Sequence, residues 1–272
     1  MPILKNVERL IRLSTFQPKT MIRNLARLPL YFSSYRTLKA QSKASKEVFE
    51  LGLFYPVLYE KSEPAGSAVG HYFHQDLLVA QKVFHAQPKR HIDVGSRVDG
   101  FVTHLATFRE VEAIDVRPLQ SSTPNIKFHC ADLMADLPPS MVAATESLSC
   151  LHAIEHFGLG RYGDPLQYDG HLRGLANLRR MLKTGGTLYL STPISSRQRI
   201  EFNAHRVFQL PYLMSLLAKD FDLRTFSYVG DDGLLHVDQD VTGSDAQNTF
   251  GLRYGCGIFE LTARANSCAK AA

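Results

Sequence analysis

The sequence predicts an α/β fold: a mainly parallel sheet with helices on both faces and a nucleotide pocket along its carboxyl edge. Three stretches carry that prediction. Residues 88–115 read as strand, glycine loop, helix, strand and acid; residues 147–158 as an apolar strand running into Glu155, His156 and a glycine loop; residues 171–193 as helix, glycine pair and strand. At 272 residues, 44% apolar and 21% charged, the chain suits one large domain, or one domain with an extension.

The first stretch organises the rest. His91–Val94 is a short apolar strand, and Gly95 and Gly100 bound the loop after it. Phe101, Leu105 and Phe108 recur at helical spacing, and Val111–Ile114 is a second strand ending on Asp115. Gly95 lets the backbone approach a ligand, and the following helix start offers free N–H groups to a carboxylate or phosphate. Asp115 lies 22 positions after Asp93, close to the interval of about 20 at which an acid takes ribose hydroxyls. The loop Gly95-Ser96-Arg97-Val98-Asp99-Gly100 lacks the middle glycine of a dinucleotide fingerprint, and Asp99 would repel a pyrophosphate. No Gly-Lys-Ser/Thr follows, which excludes a P-loop. A nucleotide without phosphate is the better fit.

At these residues the chain resembles the class I S-adenosylmethionine-dependent methyltransferases. Asp93 and Gly95 hold the register of that family's first loop, with Gly100 late, and Asp115 stands where the family's ribose acid stands. Asp132, after the strand Ile126–Cys130, matches the acid that takes the adenine amino group; it also reads as a helix N-cap. Leu182-Lys183-Thr184-Gly185-Gly186, leading into the strand Thr187–Pro193, resembles the family's L-K-P-G-G segment, with Thr184 in place of proline. The resemblance implies a Rossmann-like methyltransferase sheet of seven strands with helices on both faces. It also implies S-adenosylmethionine as cofactor, on Asp93, Gly95, Ser96, Gly100, Asp115, Asp132, Leu133 and His152. HIDVGSRVDGF, LHAIEHFGLGRYGDP and EFNAHRVF further resemble a methyltransferase-like family of unknown function met beside bacterial surface-polysaccharide genes. That implies a small-molecule or glycan acceptor, with a sugar hydroxyl as the methylated group.

Acceptor chemistry belongs beyond the fourth and fifth strands. Glu155, His156 and His205 are the expected acid–base groups, with Arg161, Tyr162, Asp164, Glu201, Asn203 and Arg206 around the acceptor. The connection Gly158–Gly170 spans thirteen residues, a length of about 12–15 at which loops are usually functional. His152-Ala-Ile-Glu155-His156 also matches H-x-x-E-H, a metal-dependent hydrolase pattern that needs a long helix, whereas Gly158 and Gly160 stop one at once. His71 and His74, opening a helix to about Ala86 beside Tyr72 and Asp76, read as exposed helix-start residues or as part of a lid.

The net charge of +5 is unevenly placed, with +9 on residues 1–46 and −4 on the rest, so the pI implies no nucleic-acid partner. Residues 3–14, 20–30 and 37–60 read as helices, the first two basic and amphipathic and punctuated by Pro18 and Pro29. Their basic faces suit solvent, or peripheral contact with an anionic membrane surface. The expected organisation is a helical basic extension over 1–70, the methyltransferase-like domain over 71–265 and a frayed tail over 266–272. Cys130, Cys150, Cys256 and Cys268 are scattered without C-x-x-C, so no metal ligands are assigned; Cys130 and Cys150 read as core residues, and a cytoplasmic setting follows. Three functions remain open: a sugar O-methyltransferase, a methyltransferase-like binding module without catalysis, and the hydrolase.

Overall fold

The computed structural model describes residues 18–58 and 64–265. The described chain divides into two compact units, one ending at Ser67 and one beginning at Ala68. The expected helix over 3–14 and the tail over 266–272 lie outside the described residues.

The first unit is built on α1 (Pro18–Ala44). Pro18 opens this helix, where a missing N–H costs nothing. Pro29 was expected to end a helix but lies inside this one; it withdraws a single hydrogen bond on a largely exposed helix, where water can satisfy the carbonyl left over. The third helix, expected over 37–60, exists only as the end of α1 up to Ala44, and residues 45–58 are irregular. They return along α1: Phe54 packs edge-on against Tyr31, Phe32 and Tyr35, and Arg27 donates to the Leu58 carbonyl at 2.9 Å. Among the described residues, no helix is long and apolar enough to cross a membrane.

The second unit opens with α2 (His71–Ala86), then β1 (His91–Val94), a π-helical turn (Val98–Val102) running into α3 (Thr103–Ala106), β2 (Val111–Asp115), β3 (Ile126–Cys130) and β4 (Thr145–Leu151). α4 (Gly170–Met181), β5 (Leu182–Ile194), β6 (Arg199–Glu201), β7 (His205–Val207), α5 (Leu210–Leu217), β8 (Phe221–Val229), β9 (Leu235–His236), α6 (Ser244–Gln247) and β10 (Gly255–Ala263) follow. The sheet order is β3-β2-β1-β4-β5-β10-β8-β9, with β6 and β7 as a separate hairpin. The first five strands run parallel; β10 is antiparallel to both β5 and β8. The sheet thus has eight strands where seven were expected, the eighth being the two-residue β9 beyond the Asp231-Asp232-Gly233 turn.

Strand alternation feeds a core on each face. On one side Ile92, Val94, Leu148, Leu188 and Phe259 pack with Leu175 and Leu178 of α4 and Leu213 and Leu217 of α5. On the other, Val111, Ala113, Tyr189 and Ile258 pack with Val79 and Val83 of α2 and with Phe101 and Leu105. β3 is the edge strand, which is why Cys130 at its end is exposed and not a core residue. Gly185 and Gly186 do not cap α4. The helix gives way to extended Leu182, and Gly185 at φ +79° forms the bulge between two registers of β5 against β4.

Candidate functional site

The carboxyl ends of β1, β2 and β4 open into a cavity of about 770 Å³, lined among others by Gly95, Ser96, Gly100, Asp115, Asp132 and His156. It lies where the rule for open parallel sheets places a ligand. Gly95 adopts φ +75°, and a Cβ there would stand 2.7 Å from the Ala153 Cβ. Position 95 therefore demands glycine twice, through its backbone angle and through close packing on the turn after β4.

Asp93 was expected to bind cofactor, but it lies beneath the loop and does not line the cavity. Its carboxylate accepts hydrogen bonds from the Ser96 amide (3.1 Å), the Ser96 hydroxyl (2.8 Å) and the Ser149 hydroxyl (2.5 Å). Burial pushes Asp93 up to about 7 against those bonds. Its function in the structure is to fix the loop. Arg97 and Asp99 pair with each other at 2.6 Å, so neither is a ready anion or cation site.

Asp115 lines the cavity, and its carboxylate is engaged by its own neighbour. The Arg117 guanidinium donates to both oxygens at 3.0 and 2.8 Å and lies over the Tyr162 ring at 4.2 Å. Asp132 accepts from the Met134 amide at 2.8 Å through one oxygen, the turn-capping role, while its residue lines the cavity next to Leu133.

The acid–base groups divide differently from expectation. His152 and His156 line the cavity; Glu155 and His205 do not. Glu155 is buried, with Oε1 2.7 Å from His152 Nδ1 and 3.7 Å from His156 Nε2. Burial opposes charge on both members of the His152–Glu155 pair. Opposite charge nearby outweighs it, holding the carboxyl below its ordinary value and the imidazole above. His156 Nδ1 is 2.6 Å from the Ala204 carbonyl, which makes it the donor and leaves Nε2 the acceptor. Burial lowers the pKa of His156 and of His205. The His205 ring stands 6.1 Å from that of His156, behind the cavity wall.

The H-x-x-E-H string is no hydrolase helix. Ile154–His156 is one 3₁₀ turn, and His152 precedes it at φ +48°.

The acceptor set is corrected most strongly at Arg206. Its guanidinium is buried and donates to the carbonyls of Glu155 (3.3 Å), Phe157 (2.6 Å), Gln167 (3.3 Å) and Tyr168 (2.7 Å). Four bonds from its two terminal nitrogens hold the 154–168 loop, so this guanidinium is committed to the loop and not to an acceptor. Asp164 plays a similar part, accepting from the amides of Gly158, Gly160 and Tyr162. Glu201 pairs with Arg199 at 3.0 Å, and neither it nor the exposed Asn203 lines the cavity. Arg161 and Tyr162 do line it, with Arg161 donating to the Ala204 carbonyl at 3.0 Å.

Three further residues line the cavity: Tyr72 and Asp76, from the segment read as a helix start or a lid, and Arg117, which the sequence reading did not single out. Asp76 is buried, accepts a hydrogen bond from Gln75 at 3.1 Å, and has its pKa raised by burial. Its signal is an acid in the apolar stripe with Val79, Ala80 and Val83. Tyr72 sits on the next exposed turn, and Arg117 is marked by its two-residue spacing from Asp115.

Residues 141–250 match a family described as a Caenorhabditis protein of unknown function, DUF268. No curated protein matches the chain. Among solved structures, the [4+2]-cyclase SpnF is similar at 16% identity and a TM-score of 0.50, over 71% of this chain and 81% of that one. The N-methyltransferase NodS from Bradyrhizobium japonicum, in complex with S-adenosylhomocysteine, is similar at 11% identity and a TM-score of 0.48, over 76% of this chain and 92% of that one. A Burkholderia thailandensis N1-methyltransferase of 1,6-didemethyltoxoflavin aligns at 16% identity and a TM-score of 0.47, over 70% and 79%. Such identities speak to fold alone, and with the strand order and the reversed β10 the fold is that of a Rossmann-like methyltransferase.

Proposed function

We propose that this chain is an S-adenosylmethionine-dependent methyltransferase acting on a hydroxyl of a sugar or glycan precursor. One observation carries the reading: a single cavity is lined by three carboxylates, Asp76, Asp115 and Asp132, by the Gly95–Gly100 loop and by His156. Carboxylates lining a cavity disfavour a phosphate and suit a ligand bearing an ammonium, a sulfonium and ribose hydroxyls. Asp76 would take the ammonium and Asp115 the ribose, once Arg117 yields a carboxylate oxygen. Leu133 and Met134 supply apolar wall beside Asp132. When bound, the cofactor supplies an electrophilic methyl group.

The chain's own residues then orient the acceptor and take its proton. His156 is the base, in place of His205. Its Nδ1–H is held by the Ala204 carbonyl, Nε2 accepts the hydroxyl proton, and Glu155 at 3.7 Å stabilises the imidazolium. Arg161 and Tyr162 border the acceptor side. Calorimetric titration with S-adenosylhomocysteine tests the cofactor reading. Asp115→Ala should weaken binding by roughly ten- to a hundredfold, the loss of one hydrogen bond to a charged group. On a panel of sugar nucleotides, His156→Ala should bind as the parent does and lose about 10²–10⁴-fold in turnover. Absence of binding by the parent at millimolar ligand ends the proposal.

A second reading, a methyltransferase-like module without turnover, is favoured by the Arg117–Asp115 clasp. Binding without turnover across the panel would select it. The basic α1, with Met21, Ile22, Leu25 and Leu38 exposed, supports peripheral attachment to an anionic membrane surface.

A further inference from the structure

Apart from the acids that line the cavity, the second unit gathers a set of soft ligands from three distant parts of the chain. His71 opens α2, His152 follows β4, and Cys256 is the second residue of β10. The candidate ligand atoms of all three lie within 4.8 Å of one another. We propose that His71, His152 and Cys256 form a transition-metal site that takes zinc(II), with its fourth coordination position open to a water.

Each ligand is prepared by its surroundings. The His152 side chain is 5% exposed, and its Nε2 has no hydrogen bond of ordinary length, its nearby partner besides Glu155 being the Cys256 thiol. Its other nitrogen, Nδ1, is held by buried Glu155 at 2.7 Å. A carboxylate behind a histidine is the usual outer partner of a metal-bound imidazole, fixing the tautomer and the ring plane. His71 is tied to the Tyr254 backbone, and its ring stacks on that of His152 at 5.3 Å with 5° between planes. The Cys256 thiol is fully buried and makes two long contacts, to Gln75 Oε1 at 3.7 Å and the Gly257 carbonyl at 3.8 Å. Two imidazole nitrogens and a thiolate suit zinc, and three protein ligands leave a position for water. Ligands at about 2.0–2.3 Å from zinc stand roughly 3.5 Å apart, so closure needs side-chain movements of about 1 Å. As the metal binds, the Cys256 thiol proton and the His152 Nε2 proton leave to solvent, and no electron transfer is involved. A bound ion would tie the start of α2 to the end of β4 and the start of β10 and set the His152–Glu155 pair at the cavity wall.

The test uses the full chain, reduced and stripped by a chelator, titrated with cobalt(II) as spectroscopic probe. One equivalent should bind, with the near-ultraviolet band of thiolate-to-cobalt charge transfer and the visible bands of four-coordinate cobalt. Cys130→Ser, which removes the exposed thiol, should leave the spectrum unchanged. Cys256→Ser should abolish the charge-transfer band. Because that change sits in the core, His71→Gln supplies a second reading: checked as folded by circular dichroism, it should keep the thiol and bind cobalt at least tenfold more weakly. X-ray absorption of the zinc form should show one sulfur at about 2.3 Å and nitrogen at about 2.0–2.1 Å. Failure to bind one equivalent at micromolar protein, a band that survives Cys256→Ser or vanishes in Cys130→Ser, or unchanged affinity in folded His71→Gln overturns the proposal. S-adenosylhomocysteine titration of the stripped protein reports on the methyltransferase reading separately.

Discussion

Replacing Arg206 by methionine, a side chain of similar length without donors, should loosen the wall of the site more than any exposed charge change. The two short bonds, to Phe157 at 2.6 Å and Tyr168 at 2.7 Å, are the strong ones. Hydrogen bonds to a charged group contribute about 1.5–3 kcal/mol each, so the pair amounts to roughly 3–6 kcal/mol. Against this stands the cost of burying a guanidinium among neutral carbonyls, which lowers its pKa through desolvation and which methionine relieves. The net expectation for Arg206→Met is a loss of about 2–4 kcal/mol, with the orphaned carbonyls adding to the upper end. Urea denaturation measures the total. Thermal unfolding should fall by about 2–4 °C per kcal/mol for a domain of this size. Hydrogen exchange locates the effect: amides of 157–168 should lose protection while those of β1 and β10 keep their order. A loss under about 0.5 kcal/mol, the level of an ordinary surface change, with unchanged exchange in 157–168, would refute the assignment of Arg206 as the fastener of this loop.

Gly95→Ala should destabilise by about 2–4 kcal/mol and weaken S-adenosylhomocysteine binding at least tenfold, because it combines left-handed strain with a 2.7 Å contact on Ala153. Gly163→Ala, at φ +87° but with nothing within 4 Å, should cost about 1 kcal/mol in urea and separates strain from packing. The carboxyl of Asp93 is raised from 3.8 to about 7 on folding. The native state therefore holds more protons than the unfolded chain in that window, and stability falls as pH rises from about 4 to about 7. Asp93→Asn should flatten that slope in urea midpoints measured across the window; an unchanged slope assigns it to other groups. Reversing Arg23, Lys39 and Lys43 to Glu in the full chain should abolish co-sedimentation with anionic vesicles, as added salt should in the parent. Equal pelleting of both would retire the membrane contact.

Local pattern determined more of this protein than its low similarity to known structures suggests. The helix over 71–86 and the strand over 126–130 were legible almost to the residue, because each is an apolar period bounded by turn residues. The Gly95 turn and the cavity positions of Asp115 and Asp132 were legible too, since strand, loop and acid follow one another within a few residues. Tertiary structure decided the rest. Whether Pro29 ends a helix depended on whether water reaches the helix at that point. Whether Arg206 meets a ligand or four carbonyls depended on a loop some 40 residues earlier folding back upon it. His205 and His156 look equivalent in sequence, and the cavity wall separates them. The meeting of residues 71, 152 and 256 has no spacing for a motif to capture. It arises because β10 inserts beside β5 while α2 covers that face, and only packing of the whole sheet sets such distances.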